Sequence, residues 1–147
     1  VRFAMRATLA ASAAVASVAV TALISPATAQ AAASDCKSGQ VCLFENANYT
    51  GGMMTLENGC EKYLGDNWFN NGVAADNHTS SIINNSGSAV FFYNLAQWPS
   101  AQAGWHFGVS GNSRMASLVQ VTGFWDGAGS DGKGYTINMN EDISAAC

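Results

Sequence analysis

The chain has 147 residues, about one domain's worth, with ten acidic residues against six basic ones and a net charge of −4. Arg2 and Arg6 belong to the opening segment, so Lys37, Lys62, Arg114 and Lys133 are the only cations beyond it. That excess of acid argues against nucleic acid and anionic membrane as partners, and leaves room for a cation or a basic protein surface.

In chain order, Arg2 and Arg6 precede an Ala/Val/Leu/Ile run from Ala7 to Ile24, followed by Pro26 and small residues. This is the basic, apolar and small-residue order of a secretory signal peptide. Residues 1–31 are expected to be removed, with cleavage near 29–33, leaving a single domain over 32–147. Four cysteines follow, Cys36, Cys42, Cys60 and Cys147. An even count in an exported chain reads as two disulfides. Cys36 and Cys42 bracket "KSGQV", with Gly39 for a turn, and are paired here; Cys60 is then left with Cys147. The spacing is not that of a zinc knuckle, and neither histidine lies near a cysteine in sequence.

Short runs rich in β-branched and aromatic residues alternate with Gly/Asn punctuation, and helix signals are nearly absent. The expected strands are 40–46, 53–57, 81–84, 89–94, 105–109, 117–123 and 135–139. Many short strands separated by turns make an all-β sandwich whose core lies between two packed sheets. A weak repeat runs through it. Phe44, Tyr49, Gly51 and later Ser81 recur in order as Tyr93, Trp98, Ser100 and later Ser117.

That pattern resembles the βγ-crystallin Greek key: an aromatic, four residues, an aromatic, one residue, a glycine and a distant serine. The resemblance implies that the hairpin folds back over its own sheet, with Gly51 at positive φ and the Ser81 hydroxyl tying the fold to its backbone. It places the first key at about 40–86, the second at about 88–122 with Ser117 as its serine, and a hairpin or tail over 123–147. Ser100 stands where the second key should have glycine. The fold expected is therefore two Greek keys forming one disulfide-bonded βγ-crystallin-like sandwich.

Calcium-binding members of that fold carry Asn/Asp, Asn/Asp, two free positions, Ser/Thr and Ser; "DNHTSS" at 76–81 satisfies the pattern. The resemblance implies weak Ca²⁺ binding through the side chains of Asp76, Asn77 and Ser80 and the carbonyl of His78. A degraded partner stretch is expected at 112–117, where Asn112 contributes, Ala116 replaces the donating hydroxyl and Arg114 adds positive charge. The same residue types also serve as ordinary turn formers.

"CKSGQVCLFENANYTGG" further resembles the opening of the Streptomyces metalloproteinase inhibitor family. The resemblance implies a secreted inhibitor of extracellular metalloproteases that binds in a substrate-like manner, as a monomer with a protease partner. One departure is plain: no cysteine lies between Cys60 and Cys147 to close a small reactive loop. The candidate contact residues are Leu95, Trp98 and Pro99 in 96–104 and its flank, with the tip 127–134 as a second loop. The rival readings are a calcium-stabilised structural or stress module and a secreted antimicrobial protein akin to yeast killer toxin.

No catalytic constellation is legible. His78 falls inside the calcium-like stretch, and His106, between Trp105 and Phe107, reads as lining a strand. There is no HExxH or GxSxG, and 127–134 lacks the features of a phosphate loop. Trp68, Trp98, Trp105 and Trp125 read as core or loop-anchoring aromatics before a carbohydrate platform. The chain is thus expected not to be an enzyme.

Overall fold

The computed structural model describes residues 31–56, 60–97 and 103–147. The expected leader lies outside the described residues except for its last position, Ala31, and the expected cleavage window, 29–33, straddles the boundary. Trp98 and Pro99 also lie outside them.

Among the described residues nine strands are formed: β1 (Val41–Asn46), β2 (Thr50–Leu56), β3 (Ser81–Asn84), β4 (Val90–Tyr93), β5 (Trp105–Val109), β6 (Ser113–Met115), β7 (Val121–Trp125), β8 (Tyr135–Ile137) and β9 (Ala145–Ala146). They make two antiparallel sheets, ordered β2-β1-β3-β6 and β8-β7-β5-β4-β9. The protein is an all-β, two-sheet sandwich in which β6, from the second half, completes the first sheet.

Alternation in β1 sorts its side chains. Val41 and Leu43 join the core shared by both sheets, with Ile82, Phe92, Phe107 and Val121 among its members. Cys42 and Phe44 point the other way, into a smaller cluster with Ile83, Cys36 and Ala31. The central strands of the first sheet are therefore buried on both faces, because residues 31–40 lie across the outer one. That cover is fixed by the Cys36–Cys42 disulfide, by Ala31 N–H donating to Gly51 O (2.9 Å), and by the Asn85 amide donating to Cys36 O (2.9 Å). The second disulfide joins Cys60 to Cys147.

Two expectations about strands need correction. Residues 117–120 do not extend; Leu118 is wholly buried and its carbonyl accepts the Met139 N–H, so the chain plugs the core before β7 begins at Val121. The second key also closes much later than 122. Its last strand is β9, which pairs with β4 as β3 pairs with β1: Tyr93 faces Ala145 as Phe44 faces Ser81. The β7–β8 hairpin is an insertion that extends the second sheet along the free edge of β5.

Candidate functional sites

The first hairpin folds back as its residues require. Asn48, Tyr49 and Gly51 have φ of 58°, 61° and 81°, and a Cβ on Gly51 would come within 2.5 Å of the Asn46 side chain. The Tyr49 ring meets Phe44 edge to face at 5.9 Å. Buried Ser81 locks the turn: its Oγ accepts the Tyr49 N–H (3.0 Å) and donates to Asn46 O (2.6 Å). Ser117, expected to do the same for the second key, is exposed and only accepts the N–H of Val119 within its own turn (3.4 Å). The position equivalent to Ser81 is Ala145, which has no hydroxyl to give.

The stretch 76–81 sits against a partner other than the one expected. Asn77 N–H donates to Ile143 O and Glu141 N–H donates to Thr79 O, both at 3.0 Å. The exchange is reciprocal and the two segments match position by position. Asn77 and Glu141 share φ values of 55° and 56°. The His78 N–H bonds Ala75 O as Asp142 N–H bonds Met139 O, and Ser80 N–H bonds Phe44 O as Ser144 N–H bonds Tyr93 O. Asn140, Glu141 and Ser144 therefore stand where the first segment has Asp76, Asn77 and Ser80. Asn112 is placed elsewhere, at φ 55° with its N–H on Ser86 O, and the Ala116 carbonyl accepts the Asn48 N–H. The hydroxyl taken to be missing at Ala116 is present as Ser144, whose Oγ donates to Asn77 Oδ1 (3.3 Å). Sequence reasoning missed this segment because glutamate occupies its second position; the spacing of Asn140, Glu141 and Ser144 was the available signal.

At this joint Asp76 Oδ1 is buried without a hydrogen-bond partner, while Oδ2 accepts from the Asn77 amide (3.3 Å). The His78 ring is exposed, with Nδ1 2.8 Å from Asp76 O. The side-chain donors that gather here are carboxylate, amide and hydroxyl oxygens, the set a hard cation takes. Among the described residues no group of three or more His, Cys, Asp or Glu is gathered as a metal cluster.

The loop leaving β4 is pinned at its stem. Asn94 N–H donates to Trp105 O (3.0 Å) and Asn94 Oδ1 accepts the Trp105 N–H (2.8 Å). Gly104 is required beneath this clamp, since a Cβ there would stand 2.5 Å from Asn94 Oδ1. Farther along, Gln97 N–H donates to Lys62 O (2.8 Å), tying the loop to the segment after Cys60. Leu95 is 38% exposed at its base.

The outer face of the second sheet carries Phe91, Tyr93, His106 and Phe124. His106 stacks on Phe124 (5.7 Å, 27°), and its Nδ1 lies 2.8 Å from Asp126 Oδ2, close but not aligned as a hydrogen bond. Burial, and then the Asp126 carboxylate, push the Tyr93 hydroxyl above its ordinary pKa. His106 thus lines a strand face.

The family model for peptidase inhibitor family I36 matches residues 29–109, more than half of the chain. The chain belongs to peptidase inhibitor family I36. This is the family of the Streptomyces metalloproteinase inhibitors whose opening the amino-terminal stretch resembles. No curated protein matches significantly. Among solved structures, this I36 protein is similar to a chain from work on the evolution of the eye-lens βγ-crystallin domain fold (14% identity, TM-score 0.49, covering 74% of this chain and 83% of that one). A βγ-crystallin from Ciona intestinalis (15%, 0.45, 74% and 96%) and the N-terminal domain of protein S (16%, 0.44, 73% and 91%) are similar as well. No described helix of the I36 protein is long and apolar enough to cross a membrane.

Proposed function

We propose that this I36 protein is a secreted inhibitor that enters the cleft of an extracellular metalloprotease with the loop between Asn94 and Trp105. The observation that carries this reading is the clamp at the loop's stem, added to the family membership: one main-chain hydrogen bond between Asn94 and Trp105, a second accepted by the Asn94 side-chain oxygen, and a third, main-chain, from Gln97 to Lys62. A loop whose stem is fixed before binding loses less conformational entropy in the complex, and so behaves as a tight, slowly released substrate mimic. Leu95 and Trp98 supply apolar anchors, and Pro99, directly after Trp98, limits the chain's freedom there. The test is titration of a thermolysin-like enzyme with the purified domain. Saturable inhibition at a one-to-one ratio is expected, with Leu95→Ala and Trp98→Ala each weakening it about tenfold, a loss of roughly 1.4 kcal/mol. Absence of inhibition at micromolar concentration across such enzymes would sink the reading and leave the fold intact.

A calcium-stabilised module is the second reading, favoured by the unpartnered Asp76 Oδ1 in the reciprocal joint. Asp76, Asn77 and Ser80 would hold the ion with the His78 carbonyl, and Asn140, Glu141 and Ser144 would form the facing half-site in place of Asn112. At 1 mM Ca²⁺ and a dissociation constant near ~0.1 mM, linkage stabilises the fold by about 1.4 kcal/mol, a melting shift of several degrees. Asp76→Ala abolishes the shift, Ser144→Ala reduces it and Asn112→Ala leaves it unchanged. A melting temperature that does not move with calcium up to 10 mM would reduce the joint to a pair of turns.

A further inference from the structure

On the core-facing side of the second sheet, burial stops before the sheet does. Phe107, Val109 and Val121 are covered, but Trp105 and Trp125, paired across β5 and β7, are only half-buried, and Tyr135 on β8 is 44% exposed. These three rings and the loop from Ala128 to Asp131 line an open cavity of about 430 Å³. The rings form walls at steep angles. Trp125 lies 5.5 Å from Trp105 at 58°, and Tyr135 lies 5.9 Å from Trp105 at 77°. A sugar ring stacks on a broad flat platform, which rings at these steep angles do not form; aromatic rings lining a cavity attract a compact cation over their faces.

The rim adds a full negative charge. Asp131 Oδ2 accepts the Tyr135 hydroxyl (2.6 Å) and Oδ1 accepts the Lys133 N–H (3.0 Å). The Tyr135 hydrogen bond, first among several, holds the Asp131 carboxyl below its ordinary range, so it is ionised at neutral pH. The Lys133 ammonium, mostly exposed, already stands 3.5 Å from Asp131 Oδ2, a cation supplied by the chain itself at the mouth of the cavity.

We propose that this cavity binds an organic cation, an alkylammonium group, by cation–π contact with Trp105, Trp125 and Tyr135 and ion pairing with Asp131. The aromatic faces and the carboxylate select the same sign of charge, and the excess of acid on the domain brings such a group toward it. The group arrives either on a free quaternary amine or on a lysine side chain of a protein.

Intrinsic tryptophan fluorescence of the domain, titrated at constant ionic strength with tetramethylammonium, with N-acetyl-lysine methylamide and with chitotriose, tests this. A saturable change is expected with one or both cations and none with the sugar; the tighter of the two cations identifies the source. Asp131→Asn, on an exposed turn, weakens binding at least threefold. Lys133→Ala strengthens it about twofold by removing the competing ammonium, an effect no purely structural role of Lys133 would give. Trp125→Ala abolishes binding; should that variant lose its melting transition, Tyr135→Leu replaces it with the same expectation. No saturation by either cation up to 100 mM, a response to chitotriose alone, or cation binding indifferent to Asp131→Asn would overturn the proposal.

Discussion

Single atoms decide whether each key closes. The Ser81 hydroxyl bonds both sides of the first fold-back, and it is fully buried, so no water replaces it. Ser81→Ala removes both hydrogen bonds, to Tyr49 N–H and Asn46 O, and is expected to cost about 1–3 kcal/mol, read as a fall of several degrees in the thermal midpoint. Asn84 works at the opposite end. Its amide nitrogen donates to Ser88 O (2.8 Å) and Val109 O (2.9 Å), and its oxygen accepts the Ser86 N–H (3.0 Å) and hydroxyl (2.6 Å), which ties the first sheet to the second. Strain is local too. Glu141 holds φ 56° with no glycine or asparagine to ease it, whereas its counterpart Asn77 is of a type that tolerates that region. Glu141→Asn is expected to raise stability in EDTA by about 0.5–1 kcal/mol, measured by urea denaturation. An additional gain in calcium would belong to the metal reading.

Among elements, β9 and the 31–40 cover show how little chain is needed when a disulfide holds it. β9 is two residues long, yet it completes the second key, and the Cys60–Cys147 bridge fixes its end while Glu61 and Ala146 exchange both main-chain bonds at 2.7 Å. Joining cysteines 87 positions apart removes roughly 4–5 kcal/mol of unfolded-state entropy, against roughly 2 kcal/mol for the pair six apart. Replacing Cys60 and Cys147 together by serine is therefore expected to lower the midpoint more than replacing Cys36 and Cys42. Removal of the Cys36–Cys42 pair should show instead as greater dye binding, because Phe44 and Ile83 lie beneath the cover. A differential melting and dye-binding comparison of the two double variants separates these outcomes.

At the scale of the molecule the two keys are expected to unfold as one cooperative unit. The first sheet ends in β6, from the second key, and the 76–81 turn depends on 141–143 near the chain's end. Residues 31–86 expressed alone lack both partners. They are expected to show no cooperative thermal transition and no sheet signal in circular dichroism, even with Cys36–Cys42 formed. A folded fragment would mean the first key stands by itself.

Much of this was written in local sequence. Alternation in 40–46 set which side chains enter the shared core, "FENANYTGG" with Ser81 specified the first fold-back, and the short spacing of Cys36 and Cys42 indicated their pairing, because each depends on period, turn chemistry or a handful of neighbouring residues; Cys60–Cys147 followed by elimination. The second key was misread from the same rules. Ser117 follows a Greek-key-like spacing but precedes an insertion, and no local rule distinguishes a closing strand from the start of a hairpin. Only the pairing of β4 chose 145–146 over 117–122, since a two-residue strand is stabilised by its ladder, its disulfide and the buried side chain of Ile143 rather than by its own propensity. The partner of "DNHTSS" and the corner formed by Trp105, Trp125 and Tyr135 were decided at the same level, by which segments a closed sandwich brings face to face.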